Sequence, residues 1–128
     1  MRLLLDTHAL VWAMADPARL SPRARLAVTS GATDAYASVV SAWELAILEG
    51  LGRVRLGAPL ESLFSDGLAA LRIRLLPIQV QHAARVASLP NHHRDPFDRL
   101  LIATAMTEKL TVVTRDRTFA RYGVSTVW

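Results

Sequence analysis

The stretch Asp95–Asp116, "DPFDRLLIATAMTEKLTVVTRD", reads as one helix and one strand with carboxylates at both ends. Asp95 suits an N-cap and Pro96 the first helical position, so a helix is expected from Pro96 to about Glu108. Its middle, "LLIATAM", is apolar on nearly every side, as in a helix packed deep against a sheet. "LTVVT" (110–114) has the β-branched content of a strand. Capping and the helix dipole explain each carboxylate taken alone. A metal site would explain them together.

Working outward, the same alternation recurs. "RLLLD" (2–6) is a short buried strand ending in Asp6, and "THALVWAMA" (7–15) is helical until Asp16-Pro17 breaks it. Ser21-Pro22 opens a second helix that Gly31 closes. "AYASVV" (35–40) is expected to be a strand, with Ser41 starting a helix that runs to about Glu49 and stops at Gly50 and Gly52. An amphipathic helix over 59–72, weakened near Gly67, precedes a strand at 73–78 and a helix at 79–89. After the 110–114 strand come a short helical turn (115–123) and a last strand (124–128). Strands alternating with helices imply an α/β chain, a parallel sheet covered on both faces.

A chain of 128 residues with half its residues apolar is most simply one domain, 1–128, with a proper core. It contains no cysteine, which removes disulfides and thiolate–metal sites and fits a reducing compartment. Three leucines before Asp6 are too few for a signal peptide, and no run approaches a membrane span. A soluble cytoplasmic protein with no membrane partner is expected. The net charge is +4, carried almost entirely by arginine, with Lys109 the sole lysine. Arginine suits phosphate, but a GC-rich genome writes the same balance, so charge alone decides little.

In such a sandwich, strand C-termini and helix N-termini share one sheet edge, where open α/β sheets bind ligands. Asp6, Glu44, Asp98 and Asp116 all map to that edge. Each has a capping explanation: "SAWE" (41–44) matches a capping box, with Ser41 as N-cap and Glu44 at the third helical position. Together, four carboxylates would raise one another's pKa, and a divalent cation relieves that directly. Oxygen-only ligands point to Mg²⁺ or Mn²⁺ and to phosphodiester chemistry. A zinc site from His92, His93, Asp95 and Asp98 is a weaker alternative, because adjacent histidines seldom both reach one ion. Trp12, Trp43 and Trp128 sit in apolar or terminal contexts that suit the core better than base stacking. Glycine-rich phosphate loops are absent.

"LLLDTHALVW", "SAWELAI", "LGRVRL", "LLPI", "LPNHHRDPFDRLLIATA" and "LTVVTRDRTFARYGV" together resemble the PIN-domain ribonucleases, and more narrowly the VapC-type toxins of type II toxin–antitoxin pairs. The likeness runs through essentially the whole chain. It implies a three-layer α/β/α sandwich with a parallel sheet of order 3-2-1-4-5. It implies Asp6, Glu44, Asp98 and Asp116 as the metal-binding acids, with Thr7 and Thr114 lining the site. Asp95 matches a subgroup position and is read as a cap or as supporting the ligands. Ser41 is grouped with these supporting polar residues, and Arg99 and Arg115 are candidates to hold phosphate or pair with the acids. A lysine common in relatives is replaced here by Leu48, which leaves Arg53 or Arg55 to take its place.

The resemblance also implies an activity: Mg²⁺- or Mn²⁺-dependent hydrolysis of RNA by water, leaving 5′-phosphate and 3′-hydroxyl ends. It implies a VapB-type antitoxin partner and a homodimer. Three rivals remain. An aspartyl-phosphate phosphotransferase or receiver domain would need a second aspartate or a strand-end lysine, but position 8 is His and Lys109 precedes its strand. A non-catalytic basic RNA- or protein-binding module would use the acids only as caps. A housekeeping PIN nuclease would have no antitoxin.

Overall fold

The computed structural model describes residues 1–128. Its centre is β1 (Arg2–Leu5), whose leucines alternate between the two sheet faces. Leu3 and Leu5 join Ala9, Leu10 and Ala24 in one core, while Leu4 joins Leu101, Ile102 and Phe119 in the other. An unbroken apolar run is what a parallel strand covered on both faces requires.

The first face carries α1 (Thr7–Ala15) and α2 (Pro22–Thr29), separated by a 3-10 turn at Pro17–Arg19. Ser21 caps α2 through the Ala24 amide, with Pro22 at its first position, as the sequence implies. Then come β2 (Asp34–Ser38), α3 (Val39–Gly50), the helical turns α4 (Leu60–Ser62) and α5 (Leu68–Ala70), and β3 (Ile73–Leu76). The chain continues through α6 (Val80–Val86), α7 (Pro96–Glu108), β4 (Thr111–Val113) and β5 (Thr126–Val127). The sheet order is β3-β2-β1-β4-β5, and every pairing is parallel. β1 therefore lies between β2 and β4, the adjacency that the convergence of the acids needs.

Two local expectations are corrected. Val39 and Val40 do not extend β2: Ser38, not Ser41, caps α3 by accepting from the Val40 amide at 3.0 Å. The "SAWE" capping box is therefore not formed, and Glu44 lies in the second helical turn with Ser41 inside the helix. β-branched residues misled here because burial of Val40 against the second core outweighs a small propensity difference. The helix expected over 59–72 is instead interrupted by a π-type turn at Leu63–Gly67. Gly67 faces Met14, and a Cβ there would meet the Met14 sulfur in ordinary van der Waals contact at 3.5 Å. No helix is long and apolar enough to cross a membrane.

Candidate metal centre

Asp6 leaves β1 and caps α1. Its Oδ1 accepts from the Ala9 amide at 2.8 Å, and its Oδ2 accepts from Thr114 Oγ1 at 2.6 Å. Thr114 follows β4 and also accepts from the Asp116 amide at 3.0 Å. One hydroxyl thus ties the end of β1 to the turn after β4. Asp116 caps the next 3-10 turn through the Thr118 amide at 2.9 Å.

Glu44 enters from α3. Thr7 Oγ1 donates to its Oε1 at 2.7 Å and lies 2.9 Å from Ser41 Oγ. A hydroxyl has one proton, and Thr7 gives its own to Glu44, so Ser41 donates to Thr7. Thr7, Ser41 and Thr114 are all buried, and each is spent on orienting an acid. Asp95 caps α7 through the Phe97 and Asp98 amides at 2.8 and 3.3 Å, consistent with a supporting position.

Asp98, in the first turn of α7, meets a partner that the sequence had placed with it only in the zinc alternative. His93 Nε2 lies 3.1 Å from Asp98 Oδ2 and 2.8 Å from Asp116 Oδ2. His93 Nδ1 accepts from the Asp95 amide at 3.1 Å, which places the neutral ring's proton on Nε2, between the two carboxylates. In that tautomer Nε2 donates to both acids, and it would have to lose this proton before joining Asp98 and Asp116, whose ligand atoms lie within 4.8 Å of it, around an ion. The zinc set is not assembled: His92 turns edge-on to Tyr122 at 5.0 Å, and Asp95 is occupied as a cap. The adjacent histidines were visible in the sequence; which one turns inward, and by which nitrogen, depends on the Tyr122 hydroxyl. That hydroxyl accepts from the His92 and His93 amides at 3.1 and 2.8 Å.

The electrostatics are those of a crowded anionic site. Burial pushes the Asp6 and Glu44 carboxyls above their ordinary range, against the hydrogen bonds from Thr114 and Thr7 that hold them down. At Asp98 burial is again the largest cause, and the charges of Asp95, Asp6, Glu44 and Asp116 add to it, so its pKa is pushed up to about 8. At Asp116 burial also pushes up, but hydrogen bonds from the Thr118 amide and His93 outweigh it and leave the carboxyl below its usual value. A set of desolvated oxygen donors that repel one another fits a hard divalent cation such as Mg²⁺ or Mn²⁺.

The two arginines part company. Arg115 is exposed and lines a cavity of about 450 Å³ together with Asp6, Asp98 and Asp116. Arg99 turns away from the acids. Its Nη1 donates to Pro90 O at 2.9 Å and to the Tyr122 hydroxyl at 3.3 Å, and its Nη2 donates to Val86 O at 3.3 Å. Being one residue beyond Asp98 rotates it by about 100° around α7, toward the end of α6. Arg53 lines a groove with Glu44 and Arg94, whereas Arg55 lies elsewhere, beside Val11 and Met14. Trp12 and Trp128 pack on the first core, but Trp43 is 60% exposed, contrary to the core placement expected for it.

A parallel sheet of order 3-2-1-4-5 with acids from four elements at its C-terminal edge defines a class, and the PIN domain model matches residues 3–124. The chain belongs to the PIN-domain family. It is 35% identical over 116 residues to Ribonuclease VapC22 of Mycobacterium tuberculosis, covering 90% of this chain and 87% of that protein. Among solved structures it is similar to VapBC2 from Rickettsia felis bound to promoter DNA, with a TM-score of 0.72, 18% identity and coverage of 99% and 98% of the two chains. It is also similar to FitAcB from Neisseria gonorrhoeae, with a TM-score of 0.66, 26% identity and coverage of 98% and 96%.

Proposed function

We propose that the chain, a single PIN domain over residues 1–128, is a divalent-metal-dependent endoribonuclease toxin of the cytoplasm, restrained by a VapB-type antitoxin. The observation that carries this reading is the cavity shared by Asp6, Asp98 and Asp116, with Glu44 beside it on Thr7 and the Asp98 pKa pushed up to about 8. Helix capping alone would not pay for that: Asp95, not Asp98, caps α7. The likeness to Ribonuclease VapC22 supports RNA as substrate, and the likeness to VapBC2 and FitAcB supports a partner protein.

Asp6, Asp98 and Asp116 would hold the cation, with Glu44 placed to bind or orient a second. Bound Mg²⁺ or Mn²⁺ supplies Lewis acidity, lowering the pKa of an attacking water and offsetting charge on the leaving oxygen. Thr7 holds Glu44 by its Oε1 and Thr114 holds Asp6 by its Oδ2, which fixes the orientation of both carboxylates. Arg115 meets the phosphate at the rim. Water as nucleophile leaves 5′-phosphate and 3′-hydroxyl ends. For the homodimer, the support is an exposed apolar stripe along α3 and onto its C-cap: Val39, Trp43, Ile47 and, at the cap, Leu51 follow one another at four-residue spacing.

The test is cleavage of an end-labelled RNA pool by purified protein in Mg²⁺, Mn²⁺ or EDTA, beside Asp6→Asn. Cuts that need metal, leave 5′-phosphate ends and disappear in the variant are expected; cuts surviving both EDTA and the substitution would sink the mechanism. His93 gives a second prediction. Its Nε2–H keeps Asp98 and Asp116 together, so His93→Ala should weaken Mn²⁺ binding about tenfold, within the range seen for residues that orient ligands. His93→Gln, which retains a donor, should recover part of that. Calorimetric Mn²⁺ titration checks both, and unchanged affinity in His93→Ala would assign His93 to the loop alone.

A further inference from the structure

The 450 Å³ cavity holding Asp6, Asp98 and Asp116 has a second wall of different chemistry: His8, Trp12, Arg19 and Arg115. α1 builds most of it. Asp6 caps the helix, and His8 and Trp12 follow on one face at four-residue spacing, ring centroids 5.8 Å apart. The Asp16-Pro17 break then turns the chain back, so that Arg19 lies with its Cζ 4.8 Å over the Trp12 ring. Trp128 supports the indole at 5.7 Å. His8, Arg19 and Arg115 are exposed, and Trp12 is half-buried. The sequence favoured a core role for Trp12; it has one, and it also faces the acids' cavity.

We infer that this wall is a nucleotide subsite that takes one base and one phosphate of a single-stranded RNA beside the cleaved bond. Its place next to the cleaved bond rests on the ribonuclease reading above. The chemistry is complementary on both counts. Aromatic rings stack any base, and guanidinium groups hold phosphate. The volume lies within the range of roughly 300–1,000 Å³ found for small-ligand sites. A strand with its phosphate at Asp6, Asp98 and Asp116 has its neighbouring nucleotide in the rest of the same cavity. Arg19 is pre-set for this, because the Trp12 face below it restrains a side chain that would otherwise lose freedom on binding.

The test compares binding of fluorescein-labelled ten-residue oligoriboadenylate with an abasic ribose-phosphate oligomer of equal length, in Ca²⁺ to suppress turnover. Trp12→Leu should weaken adenylate binding about tenfold, the size of a base–aromatic stack, and weaken the abasic oligomer by much less, through the Arg19 side chain it frees. Trp12→Phe should keep most of the affinity and guards against misfolding. Arg19→Gln, at an exposed position, should weaken both oligomers and lower the salt slope by about one. Mn²⁺ affinity should stay unchanged in all three. Normal adenylate affinity in both Trp12→Leu and Arg19→Gln, with cleavage intact, overturns the subsite and leaves the ribonuclease reading standing. Base-selective loss in Trp12→Leu without RNA cleavage by the wild type under any metal supports the subsite and counts against the ribonuclease.

Discussion

Asp98→Asn should abolish metal-dependent cleavage and at the same time stabilise the metal-free protein. The carboxyl titrates near 8 in the folded chain against an ordinary value of 3.8. Between about pH 4 and pH 8 the folded state therefore keeps a proton that the unfolded chain has released. The stability this proton confers is complete below the unfolded value and is lost as pH rises through the folded one. Asparagine copies the neutral acid and can still accept from His93, but it never ionises. The variant should gain on the order of 2–4 kcal/mol over wild type near pH 9, about 7–15 °C in Tm, and almost nothing near pH 4. Metal reverses the balance for wild type, because the ion takes the deprotonated carboxylate. Apparent Mn²⁺ affinity should rise with pH up to about 8, by at most about tenfold per pH unit, with close to one proton released. Thermal melts from pH 4 to 9 and calorimetry in buffers of different ionisation enthalpy check both halves. A variant less stable than wild type at pH 9 would mean that Asp98 supports the fold as an anion.

The parallel sheet was readable because "RLLL", "TVV" and the helix between Pro96 and Glu108 have no reading other than burial on two faces. That Asp6, Asp98 and Asp116 share one cavity was readable for the same reason: each follows a strand or begins near a helix start, and topology brings those ends to one edge. What failed was local. Ser38 and Ser41 are both good caps, and only tertiary packing chooses between them. Glu44 reached the site although its capping box did not form, because Thr7 on the neighbouring helix meets it. His93 and Trp12 were hidden differently. Their roles depend on which atom faces which partner across more than twenty residues of chain, and spacing carries no record of a tautomer or a ring orientation.

Arg99 is the residue whose role changes most between sequence and structure, and its replacement separates the two readings. As a phosphate ligand it would be removed at little cost to stability, with a salt slope reduced by about one. In the fold it gathers the C-terminal end of α6, the Pro90 carbonyl and the Tyr122 hydroxyl under one planar fork. Tyr122 in turn receives the amides of His92 and His93, so Arg99 holds the loop that aims His93 at Asp98 and Asp116. Arg99→Ala leaves those carbonyls without their charged donor and should cost about 2–3 kcal/mol, a fall of roughly 6–10 °C in Tm. Arg99→Lys should recover little, because a point charge does not span acceptors that a guanidinium reaches with two nitrogens. The salt slope of RNA binding should be unchanged. Mn²⁺ affinity should fall as it does in His93→Ala, since both substitutions release the same imidazole, and the double variant should be little worse than either alone. A full Tm with a reduced salt slope would return Arg99 to the phosphate.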